Sequence, residues 1–134
     1  MNIWLIFLIW ILYCIIDGIR DSLFYHHYNL KTERLFNEHI VFVIQRGIVA
    51  LILLLLSLNI WLIIPFILSF SFFHNGSYYT TRYYLWKRTY YNGGEYNKKW
   101  FAQSITSTSF WTKYMTPVNR TILFILSIGI LFFI

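Results

Sequence analysis

The sequence predicts an all-α, polytopic membrane protein: a four-helix transmembrane bundle with a cytoplasmic aromatic-basic segment between helices 3 and 4. Three observations lead there. The composition is 58% hydrophobic and 22% aromatic with only 12% charged residues, whereas ordinary soluble domains carry about 25% charge. Four stretches approach the ~20 apolar residues needed to cross ~30 Å of hydrocarbon. The basic residues are distributed unevenly among the connections between those stretches. A chain of 134 residues accommodates one domain.

The first span, residues 1–21, opens with MNIWLIFLIWILYCII. No Lys or Arg precedes the apolar run and no small-x-small cleavage site follows it, so it reads as a retained helix rather than a secretory signal. Cys14 is the one cysteine, which excludes an internal disulfide, and its apolar neighbours predict an inert thiol. The oily region 40–73 is too long for a single crossing. Its polar break, Ser57-Leu58-Asn59, predicts a tight turn and therefore a helical hairpin with spans over 33–57 and 59–74. Pro65 is expected to remove the hydrogen bond to the Trp61 carbonyl and kink the third helix. Thr116-Pro117 reads as an N-cap followed by proline at the first helical position, opening a fourth span over 117–134.

Charge sets the expected orientation. Of eleven Lys and Arg, three (Arg20, Lys31, Arg34) lie near the first link and seven (Arg82, Lys87, Arg88, Lys98, Lys99, Lys113, Arg120) in or beside the long one. The hairpin turn has none. The positive-inside rule then places both links in the cytoplasm and both termini outside, as in an inner-membrane protein of bacterial or phage origin. The same bias accounts for the net charge of +6.

Residues 75–116 interleave aromatic and basic side chains. Tyr and Trp settle at headgroup depth while Lys and Arg snorkel beside them, so Arg82, Trp86, Lys87, Arg88, Lys98, Lys99, Trp100, Trp111 and Lys113 are expected at the lipid interface. The expected partner is membrane lipid carrying anionic headgroups, with a protein partner or a second copy of the chain as the other candidates. Aromatic-basic mixtures also stack on unpaired bases, but a loop tethered between two spans has the membrane as its nearest surface, and nucleic acid is not expected. Asn92-Gly93 is a hairpin-turn signal, and the hydroxyl-rich run 104–109 reads as a polar loop.

Ionisable residues within or at the edge of a span are costly and need a partner or a purpose. At ~1.5 Å per residue from the outer end of each span, Asp17 lies roughly 24 Å deep, His39 about 27 Å, His74 about 22 Å and Arg120 about 21 Å, one from each helix and within about one turn of each other. Arg46, about 16 Å deep, is the charge farthest inside the hydrocarbon and is expected to reach Asp17 or Glu38. Asp17, Asp21, Glu38, His39, Arg46, His74 and Arg120 are therefore the candidate polar layer. Asp17, Arg20, Asp21 and Phe24 form one helical stripe, so local Asp17–Arg20 pairing is the plainest alternative.

His with Asp or Glu is a competent set for zinc or iron, which makes His26, His27, His39 and His74 candidate metal ligands. Their spacing matches neither H-E-x-x-H nor paired E-x-x-H motifs, and Arg46 and Arg120 repel a cation. No cofactor is expected, with a transition metal as the alternative. No G-x-S-x-G and no glycine-rich phosphate loop is present. The expected function is a membrane interaction or assembly component. The alternatives are a small enzyme working at the cytoplasmic lipid surface through an Asp/Glu/His cluster, and an oligomeric ion or proton conductor.

Overall fold

The computed structural model describes residues 2–27, 38–86, 99–102 and 114–134. Among the described residues four α-helices carry the fold: α1 (Ile3–His27), α2 (Glu38–Ser57), α3 (Ile63–Trp86) and α4 (Pro117–Leu131). Short 3-10 turns occupy Ile60–Leu62 and Lys99–Phe101, and no strand occurs among the described residues. Segments 3–24, 40–57 and 60–85 are long and apolar enough to cross a membrane, with mean hydropathies of 2.0, 2.5 and 1.4. α4 has 15 residues and rises only ~22 Å, short of a full crossing.

The hairpin turn forms where its polar residues stand. Ser57 Oγ accepts from Asn59 N at 3.1 Å, and Asn59 Oδ1 accepts from Trp61 N at 3.1 Å, capping the 3-10 turn. Leu58 between them adopts φ 55°, the left-handed region that glycine or asparagine occupies more readily. At the other predicted cap, Thr116 Oγ1 accepts from Asn119 N at 3.2 Å ahead of Pro117. The kink expected at Pro65 has no basis here. The regular α-helix begins only at Ile63, so Pro65 sits in its first turn, where a missing N–H is tolerated.

Nor does α3 stop at the change of composition after Phe73. It runs on through His74 to Trp86 without a break, placing residues 75–86 of the expected interfacial segment on a helix about 18 Å long. Residues 87–98 and 103–113, with Asn92-Gly93 and the hydroxyl-rich run, lie outside the described residues.

α3 is the centre, packed chiefly against α1 and α4, while α2 makes thinner contacts with α1 and α3. One apolar core joins Ile6, Phe7 and Trp10 of α1, Leu53 of α2, Leu62 of the 3-10 turn, Phe66 at the start of α3, and Leu131 of α4. The N-terminal half of α1, the C-terminal half of α2, the beginning of α3 and the end of α4 therefore share one end of the bundle. Trp10 stacks on Phe66 at 4.8 Å and its indole N–H donates to the Phe66 carbonyl at 3.0 Å, so the largest core side chain leaves no orphaned donor. Cys14 lies in this core, buried and unpaired, as its neighbours in the sequence suggest.

Two glycines set the helix spacing. A Cβ on Gly18 would overlap Ser77 Oγ and the His74 carbonyl, so α1 and α3 cross closely only because that atom is missing. A Cβ on Gly76 would overlap the Trp100 ring, which lies on α3 there beside Phe72 and Phe73. On its other side Phe72 stacks on Phe124 of α4 at 4.8 Å.

Candidate functional site

Beyond the apolar core, towards the opposite end, polar side chains of three helices converge. On α1, Asp17 and Asp21 are one turn apart and both are buried, at 2% and 5% exposure. Arg46 reaches them from α2. Its Nε donates to Asp17 Oδ2 at 2.6 Å and its Nη2 donates to Asp21 Oδ2. Arg20, on the same stripe, lies 2.6 Å from Asp17 Oδ1 and donates to Asp21 Oδ1 through Nη2 at 2.9 Å. The Arg20–Asp17 approach is one of charge alone, since Asp17 Oδ1 has no aligned hydrogen bond. Two guanidinium groups thus balance two carboxylates. Arg20 also donates to Gln45 of α2 and lies over the Phe42 ring at 4.3 Å, so the tie between α1 and α2 runs in both directions.

His74 closes the group from α3. Its Nε2 lies 3.0 Å from Arg46 Nη2, 3.1 Å from Asp21 Oδ2 and 3.4 Å from Asp17 Oδ2. The surrounding network fixes the role of one ring nitrogen. Asn75 donates its amide to Ser71 Oγ at 3.0 Å, which turns its oxygen towards His74 Nδ1 at 3.1 Å and makes Nδ1 the donor. Nε2 faces both a donor, Arg46 Nη2, and an acceptor, Asp21 Oδ2. The imidazole is held flat between Phe70, at 4.9 Å, and Tyr78, at 6.4 Å.

Asp17, Asp21 and His74 each offer a ligand atom within 4.8 Å of the others, the minimum for a cation site. The Arg46 guanidinium already lies among those atoms and supplies the positive charge they would otherwise seek. A divalent ion would have to displace it, so this donor set does not fit a metal in the arrangement observed.

Of the seven polar-layer candidates, Asp17, Asp21, Arg46 and His74 come together. Arg120 does not join them: it is buried elsewhere and donates to the Ala102 carbonyl at 2.7 Å. The side chains of Glu38 and His39, and of the metal candidates His26 and His27, lie outside the described residues. Among the interfacial candidates, Arg82 donates to the Tyr78 hydroxyl at 3.1 Å and lies over that ring. Trp100 turns inward onto Gly76 rather than outward to lipid. Trp86, Lys87, Arg88, Lys98, Lys99, Trp111 and Lys113 fall outside what is described of side chains.

Sequence reasoning did not place Gln45 or Asn75 in the polar layer. Each adjoins a charged or ionisable residue in the sequence, Arg46 and His74, and that adjacency was the available signal. The chain matches no protein-family model, no curated protein and no solved structure.

Proposed function

We propose that this chain is an integral membrane interaction or assembly component, in which the Asp17–Arg20–Asp21–Arg46–His74 group is a structural clasp and residues 75–116 dock on the inner leaflet or on a protein partner. The observation that carries the reading is the closure of the clasp: its charges cancel within it. The exposed surface of the described helices is largely apolar, including Ile16, Val43, Leu55, Ile67 and Ile125 on all four helices. A soluble monomer seldom shows so much contiguous apolar surface, whereas lipid requires it.

In this reading α1, α2 and α3 cross the bilayer and α4 packs along α3. The N-terminus and the turn at Leu58 lie outside, with the basic segment in the cytoplasm. Helices in lipid gain little from burying apolar surface against each other. α2, of whose spanning window only 11% is buried against 33% for α1 and 39% for α3, therefore depends heavily on the clasp. A conductor needs ionisable groups that face water, and a headgroup enzyme needs an acid or base with free valence. The mutual pairing gives neither reading support.

Carbonate extraction combined with cysteine labelling tests the proposal. The chain is expected to remain with the membrane at alkaline pH, and Leu58→Cys is expected to react with an impermeant maleimide added from outside. Release by carbonate, or labelling of Leu58→Cys only from the cytoplasmic side, would overturn it.

A further inference from the structure

α2 is the least covered of the three spanning helices, with 11% of its window buried. Its outer surface carries a heptad. Val41, Ile48 and Leu55 recur at intervals of seven, with Gln45 and Ile52 between them, so steps of four and three alternate along one stripe of the helix. All five residues are exposed, the four apolar ones by half or more. By helical phase the stripe lies about a third of a turn round from Leu53 and Arg46, which α2 turns towards the bundle.

Gln45 is the polar residue of that stripe, and only one end of its carboxamide is engaged. Its Oε1 accepts from Arg20 Nη1 of α1. A guanidinium can only donate, so this bond fixes the oxygen on the α1 side and leaves the NH2 group with two hydrogens and no acceptor among the described residues. Gln45 lies roughly 18 Å along α2 from Ser57. That is near the middle of a hydrocarbon layer ~30 Å thick, where acyl tails accept no hydrogen bond and water is absent. An amide at that depth needs an acceptor from protein.

A second copy of the chain supplies one. Copies inserted by the same signals run in the same direction, so a two-fold axis along the membrane normal joins their α2 stripes in register, with each Gln45 at the depth of its counterpart. Oε1 keeps a lone pair after binding Arg20, so two reciprocal N–H···O bonds can close between the carboxamides. The apolar positions complement themselves, and the Arg20 and Arg46 charges behind them are matched by Asp17 and Asp21. A single polar residue in an apolar heptad seam is a known device for fixing the register of paired helices.

We propose that the chain pairs with a second copy of itself through α2, with Val41, Ile48, Ile52 and Leu55 forming a parallel seam and the Gln45 carboxamides hydrogen-bonded across it. The proposal rests on the membrane reading above and names its partner.

Oxidative cross-linking of the full chain in its membrane, in a Cys14→Ala background, provides the first test. Ile48→Cys is expected to give a covalent dimer, and Ile67→Cys, exposed on α3 away from the seam, is expected to give none. Sedimentation equilibrium in a mild detergent provides the second. Gln45→Leu is expected to weaken the dimer about tenfold, and Gln45→Asn, which keeps a carboxamide, to weaken it less. Ile52→Trp overpacks the seam while leaving the Gln45–Arg20 bond in place; it is expected to weaken the dimer too and decides the matter if Gln45→Leu fails to fold. A monomer at every concentration, equal cross-linking of Ile48→Cys and Ile67→Cys, capture of a different protein by Ile48→Cys, or an affinity unchanged in both variants would each overturn the pair. Carbonate extraction reports separately on the membrane reading, so a chain that stays in the membrane as a monomer refutes the pairing alone.

Discussion

Arg46 Nε stands 2.6 Å from Asp17 Oδ2, which joins the middle of α2 to the C-terminal half of α1 at the level where His74 of α3 also reaches them. Removing one member of a buried pair leaves the other charge uncompensated, typically at a cost of about 3–5 kcal/mol. Arg46→Leu should destabilise by that order, and Asp17→Asn by somewhat less because Arg46 keeps Asp21 as a partner. The double variant should be less destabilised than the sum by about 1–3 kcal/mol. Unfolding of the four proteins in mixed micelles measures the cycle, and simple additivity would show that the pair is not coupled.

Glycines on different helices should respond in opposite senses. Gly18→Val drives a side chain into Ser77 and the His74 carbonyl and should separate α1 from α3. Gly47 has nothing within 4 Å of its Cβ position, so Gly47→Ala should be neutral or gain up to about 1 kcal/mol through helix propensity. Thermal unfolding of both variants checks the contrast.

Gly76→Ala should lift Trp100 off α3. Tryptophan emission is expected to shift to the red and become more open to acrylamide. The change should vanish when Trp100 is already replaced by Phe. A Gly76→Ala spectrum identical to the wild type would contradict the packing of the ring on this glycine.

Trp10→Phe keeps an aromatic ring against Phe66 but loses the donor to its carbonyl. The expected loss is about 1 kcal/mol for the hydrogen bond, with a further contribution from the space left by the smaller ring. Trp10→Ala should cost about 3–5 kcal/mol. Denaturant titration in detergent distinguishes the two.

Cys14 is fully buried in the core. A thiol reagent should leave it unmodified in the folded chain, even one soluble in the hydrocarbon phase, and should modify it stoichiometrically once the protein is unfolded. Intact mass before and after unfolding gives the answer. Rapid modification of the folded chain would mean that α1 does not pack as described.

The helices were legible in the sequence because their signals are local: apolar runs of sufficient length, a polar tripeptide at the hairpin and a Thr-Pro cap. The meeting of Asp17, Arg46 and His74 was legible as well, since rise per residue converts sequence position into depth. Depth says nothing about direction around a helix, which is why Arg120 could be placed at the same level and yet face the 99–102 turn. The end of α3 was misplaced for a related reason. The change from Phe to Tyr and Arg after His74 alters polarity but contains no helix-stopping residue apart from Gly76, which lies within the unbroken helix where a Cβ would overlap the Trp100 ring. Pro65 misled because its effect depends on whether the helix has already begun.

His74 and Gly76 are two residues apart on one unbroken helix, so the ion pairs and the Trp100 seat are mounted on the same rigid rod. A tilt imposed on α3 from its Trp86 end cannot displace one without displacing the other. A load on the Trp86 end of that rod would have a lever arm on α2, by way of the contact between His74 and Arg46.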